Sequence, residues 1–181
     1  MKEEEEEEVI LVDSQDQVLG TMPKMEAHEK GILHRAFSVF ILDSKNKILL
    51  QKRAPNKYHS PNLWTNTCCS HQRLNESSLE AGKRRLIEEM GIDLELEEIF
   101  TFQYKAPFTN GLTEHELDHV LIGYTDKSPI INYAEVSDWK WVNIDLIHKD
   151  LVVNPNDYTI WFKIVFDEFI KYVKKNESNS K

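Results

Sequence analysis

One well-capped helix set among alternating segments constrains this chain more than any other feature. Ser77-Ser78-Leu79-Glu80 has the form of a capping box: a serine to accept from the amide three residues on, and a glutamate to reach back. Gly91 follows as a stop, because glycine enters the left-handed conformation that ends helices. Between them Leu79, Leu86 and Met90 recur at near-helical spacing with the small Gly82, which predicts a buried stripe. Arg84 and Glu88, like Arg85 and Glu89, lie four apart, where opposite charges meet on a helix. From the helix alone, solvated ion pairs and a ligand site are equally open.

The flanking pattern is mostly strand. Short apolar or alternating runs occur at 9–12, 18–19, 36–42, 48–53, 99–104, 118–125 and 138–142, with Ser44-Lys45-Asn46-Lys47 as a polar hairpin turn. Residues 157–174 predict a long amphipathic helix with Tyr158, Trp161, Val165, Phe169 and Val173 on one stripe. Trp64, Trp139 and Trp141 are expected to pack. No repeat or linker divides the chain. We expect one α+β domain over 9–175, a mixed sheet flanked by helices, between a disordered acidic tail (1–8) and a disordered polar tail (176–181).

Composition narrows the function classes. A chain of 181 residues, 40% hydrophobic, buries a core without covalent staples. Its two cysteines are adjacent, poor geometry for a structural disulfide, which points to a reducing compartment. No run approaches the roughly 20 apolar residues of a membrane span. Met1-Lys2 followed by six glutamates is the opposite of a targeting peptide, so a cytoplasmic protein with no membrane partner is expected. Those glutamates carry two thirds of the net charge of −9, and no basic stripe suits nucleic acid. Cations gather instead at Lys24, Arg35, Lys52-Arg53, Lys57 and Arg84-Arg85, as a local anion pocket requires.

Chemistry-bearing residues cluster in three places. In Trp64-Thr65-Asn66-Thr67-Cys68-Cys69-Ser70-His71, an extended chain puts Cys69 and His71 on one face, a thiol beside a ring nitrogen able to bind metal. Nearby cations are expected to favour the Cys69 thiolate. In Glu114-His115-Glu116-Leu117-Asp118, three acids share one strand face, which demands solvent or a cation. His28 and His34, six apart, fit no common zinc-finger spacing.

Ser70 to Ile92 resembles the Nudix box, with Glu76 as its first glutamate and Arg84 to Ile92 as its R-E-U-x-E-E-x-G-U core. Two positions depart from it: Ser70 replaces the opening glycine, and Arg85 stands where Nudix hydrolases usually carry a metal-binding glutamate. An N-T-C-C-S-H run overlapping a box altered in this way resembles the type 1 isopentenyl-diphosphate isomerases, from about Val9 to the final helix. The resemblance implies a Nudix fold and an enzyme interconverting isopentenyl and dimethylallyl diphosphate for isoprenoid biosynthesis.

The resemblance also implies roles. His28, His34, His71, Glu114 and Glu116 would hold one divalent metal (manganese, zinc or magnesium). Cys69 and Glu116 would transfer protons, with Tyr104 as an auxiliary donor. Lys24, Arg53, Lys57 and Arg85 would bind the diphosphate, the fork of Arg53 gripping two oxygens at once. Glu89 and the carbonyl of Cys69 would share Mg2+ with the diphosphate, and Trp161 would shield the hydrocarbon end. His59, in Tyr58-His59-Ser60-Pro61, is read as part of a turn or lid and given no role. Gln72, where many relatives have proline, is expected to touch no ligand. A Nudix hydrolase and a non-catalytic diphosphate binder are the competing classes. Arg85 argues against the first, and the proton-transfer and metal groups against the second.

Overall fold

Two strands form the spine of the protein. β3 (His34–Leu42) and β8 (Thr113–Tyr124) run parallel, paired from His34↔Glu116 to Leu42↔Tyr124. The computed structural model describes residues 7–57 and 59–179, so Tyr58 and the outer parts of both expected tails lie outside the described residues. β7 (Glu97–Pro107) lies antiparallel along the outer edge of β8. The other edge of β3 is shared by β1 (Glu8–Val12) at His34, β6 (Cys68–Ser70) at Phe37 to Val39, and β4 (Lys47–Arg53) at Leu42. β2 (Val18–Pro23) pairs with β1, while β5 (Trp64–Thr65) and β9 (Val136–Asn143) flank β4.

β3 and β4 therefore leave their hairpin and splay apart. A splayed hairpin strands backbone groups that must find partners elsewhere. Asn66 and Thr67 supply them. Thr67 Oγ1 accepts from the Ile41 amide at 3.0 Å and donates to the Leu49 carbonyl at 2.6 Å, and Asn66 Nδ2 donates to the carbonyls of Val39 and Cys68. This interrupts the expected extended run 64–71, which forms two short strands with a break at Asn66-Thr67.

The period-two alternation of β3 sorts the core into two layers. Phe37, Val39 and Ile41 pack with Leu121 and Cys68 against Ala81, Leu86 and Met90 of α2 (Ser78–Met90). Phe40 and Leu42 pack with Val120 and Ile122 against Trp161, Phe162, Val165, Phe166 and Phe169 of α4 (Ile160–Asn179). His34, Ala36 and Ser38 continue this second face beyond the end of the apolar layer, and the polar groups collect there.

Ser77 caps α2 with both halves of the capping box, and Gly91 ends it at φ 64°. Leu79 departs from the expected stripe and is exposed, because the face toward the sheet centres on Ala81, Gly82, Leu86 and Met90. A Cβ on Gly91 would lie 2.6 Å from the Ile130 carbonyl oxygen. Gly91→Ala should therefore destabilise the fold by about 2–3 kcal/mol, adding that clash to the left-handed strain. Thermal unfolding should show Tm lowered by about 5–10 °C. An unchanged Tm would contradict this account of the cap.

Other elements correct the expectations. α1 (Lys24–Lys30), α3 (Ile144–Val153) and a 3-10 turn (Pro155–Asp157) were not foreseen. The final helix starts at Ile160 rather than 157, leaving Tyr158 extended and bridged to Trp64. It then continues through Asn179, beyond the expected boundary at 175. At the other end Glu8 belongs to β1, and Glu7 pairs with Lys24 at 2.9 Å, since strand pairing and a cation outweigh the acidic run there. Residues 1–6 and 180–181 lie outside the described residues.

Candidate active site

His28 sits near the end of α1 and His34 at the start of β3. Gly31, at φ 61°, reverses the chain between them, so two histidines six apart bring their rings to 4.8 Å between centroids. His71 follows β6 and lies 5.0 Å from His34 and 5.6 Å from His28. In-register pairing puts Glu116 beside His34, and Glu114 lies two residues along the same face. Their ligand atoms all fall within 4.8 Å of one another. Ligands around one ion at about 2.1 Å stand up to roughly 4.2 Å apart, so a small contraction would close the group on a metal.

The hydrogen-bond pattern fits a cation. His28 Nδ1 lies 2.6 Å from the Lys24 carbonyl and His34 Nδ1 2.8 Å from that of Ile32. A carbonyl only accepts, so each Nδ1 bears the hydrogen and each Nε2 turns a lone pair into the cluster. His28 Nε2, His34 Nε2 and Glu114 Oε2 are buried without hydrogen-bond partners, although His28 Nε2 and Glu114 Oε2 are only 3.2 Å apart. Burial holds the pKa of His28 below its usual value and that of His71 down at about 4. Burial and the neighbouring Glu116 push Glu114 well up. Burial also opposes ionisation of Glu116, but its polar contacts with His34 and His71, the latter at 3.1 Å, outweigh it and hold that carboxyl well below the usual range. Lone pairs and carboxylates converging on one point are stabilised by a divalent ion, so these residues fit one.

The proton-transfer candidates share a cavity with this cluster. Cys69 on β6 and Glu116 on β8 lie on opposite sides of β3, in register with Ser38 and His34 respectively, so their side chains leave the same face of the sheet. Both line one pocket with Tyr104, Trp161, Arg53 and Arg85. The Tyr104 hydroxyl donates to Glu116 Oε2 at 2.7 Å. Cys69 corrects its expectation. Burial pushes its pKa up to about 12; Arg53 lowers it, but Glu89, Glu116 and Asp118 add to the rise, so the group is a thiol rather than a thiolate. Asp118 shares the face, is buried and accepts from Ser38 Oγ at 2.7 Å.

The NUDIX domain family matches residues 32–162. Isopentenyl-diphosphate Delta-isomerase 2 of Aromatoleum aromaticum is 48% identical over 165 residues, covering 91% of this chain and 87% of that protein. The isopentenyl-diphosphate Delta-isomerase of Aliivibrio fischeri strain MJ11 is 49% identical over 175 residues, covering 92% and 97%. The chain belongs to the isopentenyl-diphosphate Delta-isomerase family of NUDIX proteins. Its fold resembles DR0079 from Deinococcus radiodurans, with a TM-score of 0.68 at 21% identity, covering 82% of this chain and 90% of that one.

In this family member the altered box residue Arg85 is embedded among acids. Its guanidinium donates to Glu89 Oε1 at 2.6 Å, Glu88 Oε2 at 2.8 Å and Glu135 Oε2 at 3.2 Å. Glu89 is buried, and its other oxygen accepts from Gln51 Nε2 at 2.7 Å. Arg84 turns away to grip Glu76 with two bonds, at 2.6 and 2.8 Å. Lys57 pairs with Glu135, and Lys24 with Glu7. Arg53 is already engaged: Nε and Nη2 donate to the carbonyls of Ser60 and His59, and its guanidinium lies 5.1 Å from the Trp161 ring. Its fork is thus partly spent on the loop, and its remaining N–H groups are those available to an anion.

Every site residue foreseen from the sequence thus lies in the pocket or the metal-fit cluster. Trp161 is no plain core residue, since it also walls the cavity. Gln72 is buried and ties the Ala36 carbonyl and Ser78 hydroxyl, so its part is in the loop. Two residues were missed. Glu135 bridges Lys57 and Arg85 from the segment before β9, and His59 reaches Glu114. Neither carries a local signal, because each depends on the path of a loop.

Proposed function

We infer that the chain interconverts isopentenyl and dimethylallyl diphosphate by paired proton transfers. The observation carrying this is that Cys69 and the Tyr104-bonded Glu116 line a single cavity from opposite sides of β3, together with Lys24, Arg53, Lys57, Arg85 and Trp161. One group gives its proton to the terminal alkene carbon, and the π pair becomes the new C–H bond. The tertiary carbon is left electron-poor. The other group takes a proton from the neighbouring carbon, whose C–H pair becomes the relocated double bond. One partner must begin protonated and the other ionised, which a thiol at Cys69 and a carboxylate at Glu116 satisfy. The Trp161 ring attracts positive charge without adding to it, a contribution of roughly 0.5–2 kcal/mol.

His28, His34, His71, Glu114 and Glu116 would hold a divalent ion, manganese, zinc or magnesium by donor type. Bound there, it would keep Glu116 ionised and oriented. Lys24, Lys57, Arg85 and the free side of Arg53 bind the diphosphate, Glu135 giving up Lys57 and Arg85 as it arrives. Glu89 and the Cys69 carbonyl would hold Mg2+ against the diphosphate oxygens. Among the described residues no helix is long and apolar enough to cross a membrane, and a diphosphate substrate in a reducing compartment agrees with a cytoplasmic enzyme.

Incubating purified chain with isopentenyl diphosphate and divalent metal tests the function. An acid-labile allylic diphosphate is expected, whereas released phosphate or pyrophosphate would overturn isomerisation in favour of hydrolysis. Glu89→Gln should raise the KM for substrate at limiting Mg2+ by about tenfold or more, since hydrogen bonds to charged groups contribute about 1.5–3 kcal/mol. It should leave metal in the histidine cluster undisturbed, as metal analysis of the variant can check. Equal loss from both sites would show that they are not separate.

A further inference from the structure

His59 lies between β4 and β5, buried at 7% exposure, and none of the chemistry above uses it. Its Nε2 stands 3.3 Å from Glu114 Oε1. Its ring stacks on Phe108 at 5.3 Å and 18°, and meets Trp161 edge-on at 5.3 Å. Its carbonyl is held by Arg53 Nη2 at 3.1 Å. The loop passes through two left-handed non-glycine residues, Ser60 at φ 48° and Asn62 at φ 61°. Such conformations persist only where the surroundings over-determine them, and here the backbone bonds Asn62 N→Arg53 O and Arg53 N→Leu63 O do so. Ring and loop are thus fixed from several sides.

The geometry separates His59 from the metal-fit cluster it touches. Its centroid is 6.5 Å from that of His28, against 4.8 to 5.6 Å among His28, His34 and His71. It meets Glu114 through Oε1, while Oε2 is the oxygen beside His28 Nε2. At 3.3 Å, with a hydrogen on its Nε2, the ring would face Oε1 as a donor toward a carboxylate that can only accept.

We propose that His59 is a positioning residue for the metal site: by holding Glu114 Oε1 it aims Oε2 at the ion, and it ties the segment 59–63 to metal occupancy. This rests on the assignment of a divalent ion to the histidine–glutamate cluster. Outer partners of this kind change metal affinity by roughly 10–100-fold when removed.

Competition titration of Mn2+ or Zn2+ against a chromophoric chelator tests it on the full chain, comparing native protein, His34→Ala, His59→Phe and His59→Gln. His59→Phe keeps a flat ring between Phe108 and Trp161 but has no donor, and His59→Gln restores a donor near the Nε2 position. The expected result is affinity lowered about 10–100-fold in His59→Phe and largely restored in His59→Gln, with both variants melting as the native metal-free chain does. Native-like affinity in His59→Phe, or equal weakening in both variants, would overturn the proposal. Failure of the native chain to bind one equivalent that His34→Ala loses would instead overturn the metal assignment, and the proposal with it.

Discussion

Cys69→Ser should lower kcat by about 10²–10⁴-fold, the usual worth of a positioned proton-transfer group, while substrate affinity stays within about threefold. A serine hydroxyl is far less acidic than a thiol, and the pocket that pushes Cys69 up to about 12 penalises an alkoxide still more. Binding survives because the cations assigned to the diphosphate lie on other elements: Lys24 on α1, Arg53 on β4, Lys57 on the loop after it and Arg85 on α2. Steady-state kinetics with equilibrium binding of isopentenyl diphosphate separates the two effects. Near-native turnover would remove Cys69 from the chemistry.

Glu116→Gln should be at least as damaging, because this side chain has two tasks. It cannot ionise, so kcat should fall by about 10²–10⁴-fold. Its amide also offers N–H groups or a neutral oxygen to His34 and His71, whose Nε2 atoms lie 3.7 and 3.1 Å from Oε1. Metal per chain should fall with activity, and excess metal should not restore the rate. Tyr104→Phe is the control. It removes one hydrogen bond to a charged acceptor, worth about 1.5–3 kcal/mol, and should cost about 10–150-fold in kcat while metal content holds. Recovery of full activity by Glu116→Gln in excess metal would leave it a ligand and no proton-transfer group.

The strands of the sheet and the capped helix were legible because their signals are local. Ser77, Glu80 and Gly91 act within one helix, and the nearly unbroken apolar run 36–42 reports directly on a strand buried on both faces. The short helices were not. α1 is seven mostly polar residues entered through Pro23, and α3 is ten residues whose one clear signal is the Asn143 cap. Asn66 and Thr67 broke the expected long strand because their partners, Val39, Ile41 and Leu49, are distant in sequence.

The site shows the same division. Glu114, Glu116 and Asp118 were legible as one strand face, but their burial was not, since it depends on β3 and β7 on either side. His28 and His34 read as unrelated until Gly31 turned one back on the other, and only family resemblance joined them in advance. Cys69 misled in the other direction, because cations nearby in sequence count for less than the burial around its sulfur.

The most direct test of two proton-transfer groups, flanking β3 and sharing one cavity, is stereochemical. Isopentenyl diphosphate carrying a single deuterium of known configuration at C2, and deuterium and tritium in known E/Z arrangement on its terminal methylene, is converted by the enzyme, and the chirality of the new methyl group and the retention of deuterium at C2 are assigned. With the proposed transfers by Cys69 and Glu116 acting on opposite faces of the substrate, only one of the two C2 hydrogens should leave, and the new proton should arrive on the opposite face of the allylic unit. Addition and loss on the same face, or loss of either C2 hydrogen without preference, would contradict proton transfer by two separate groups.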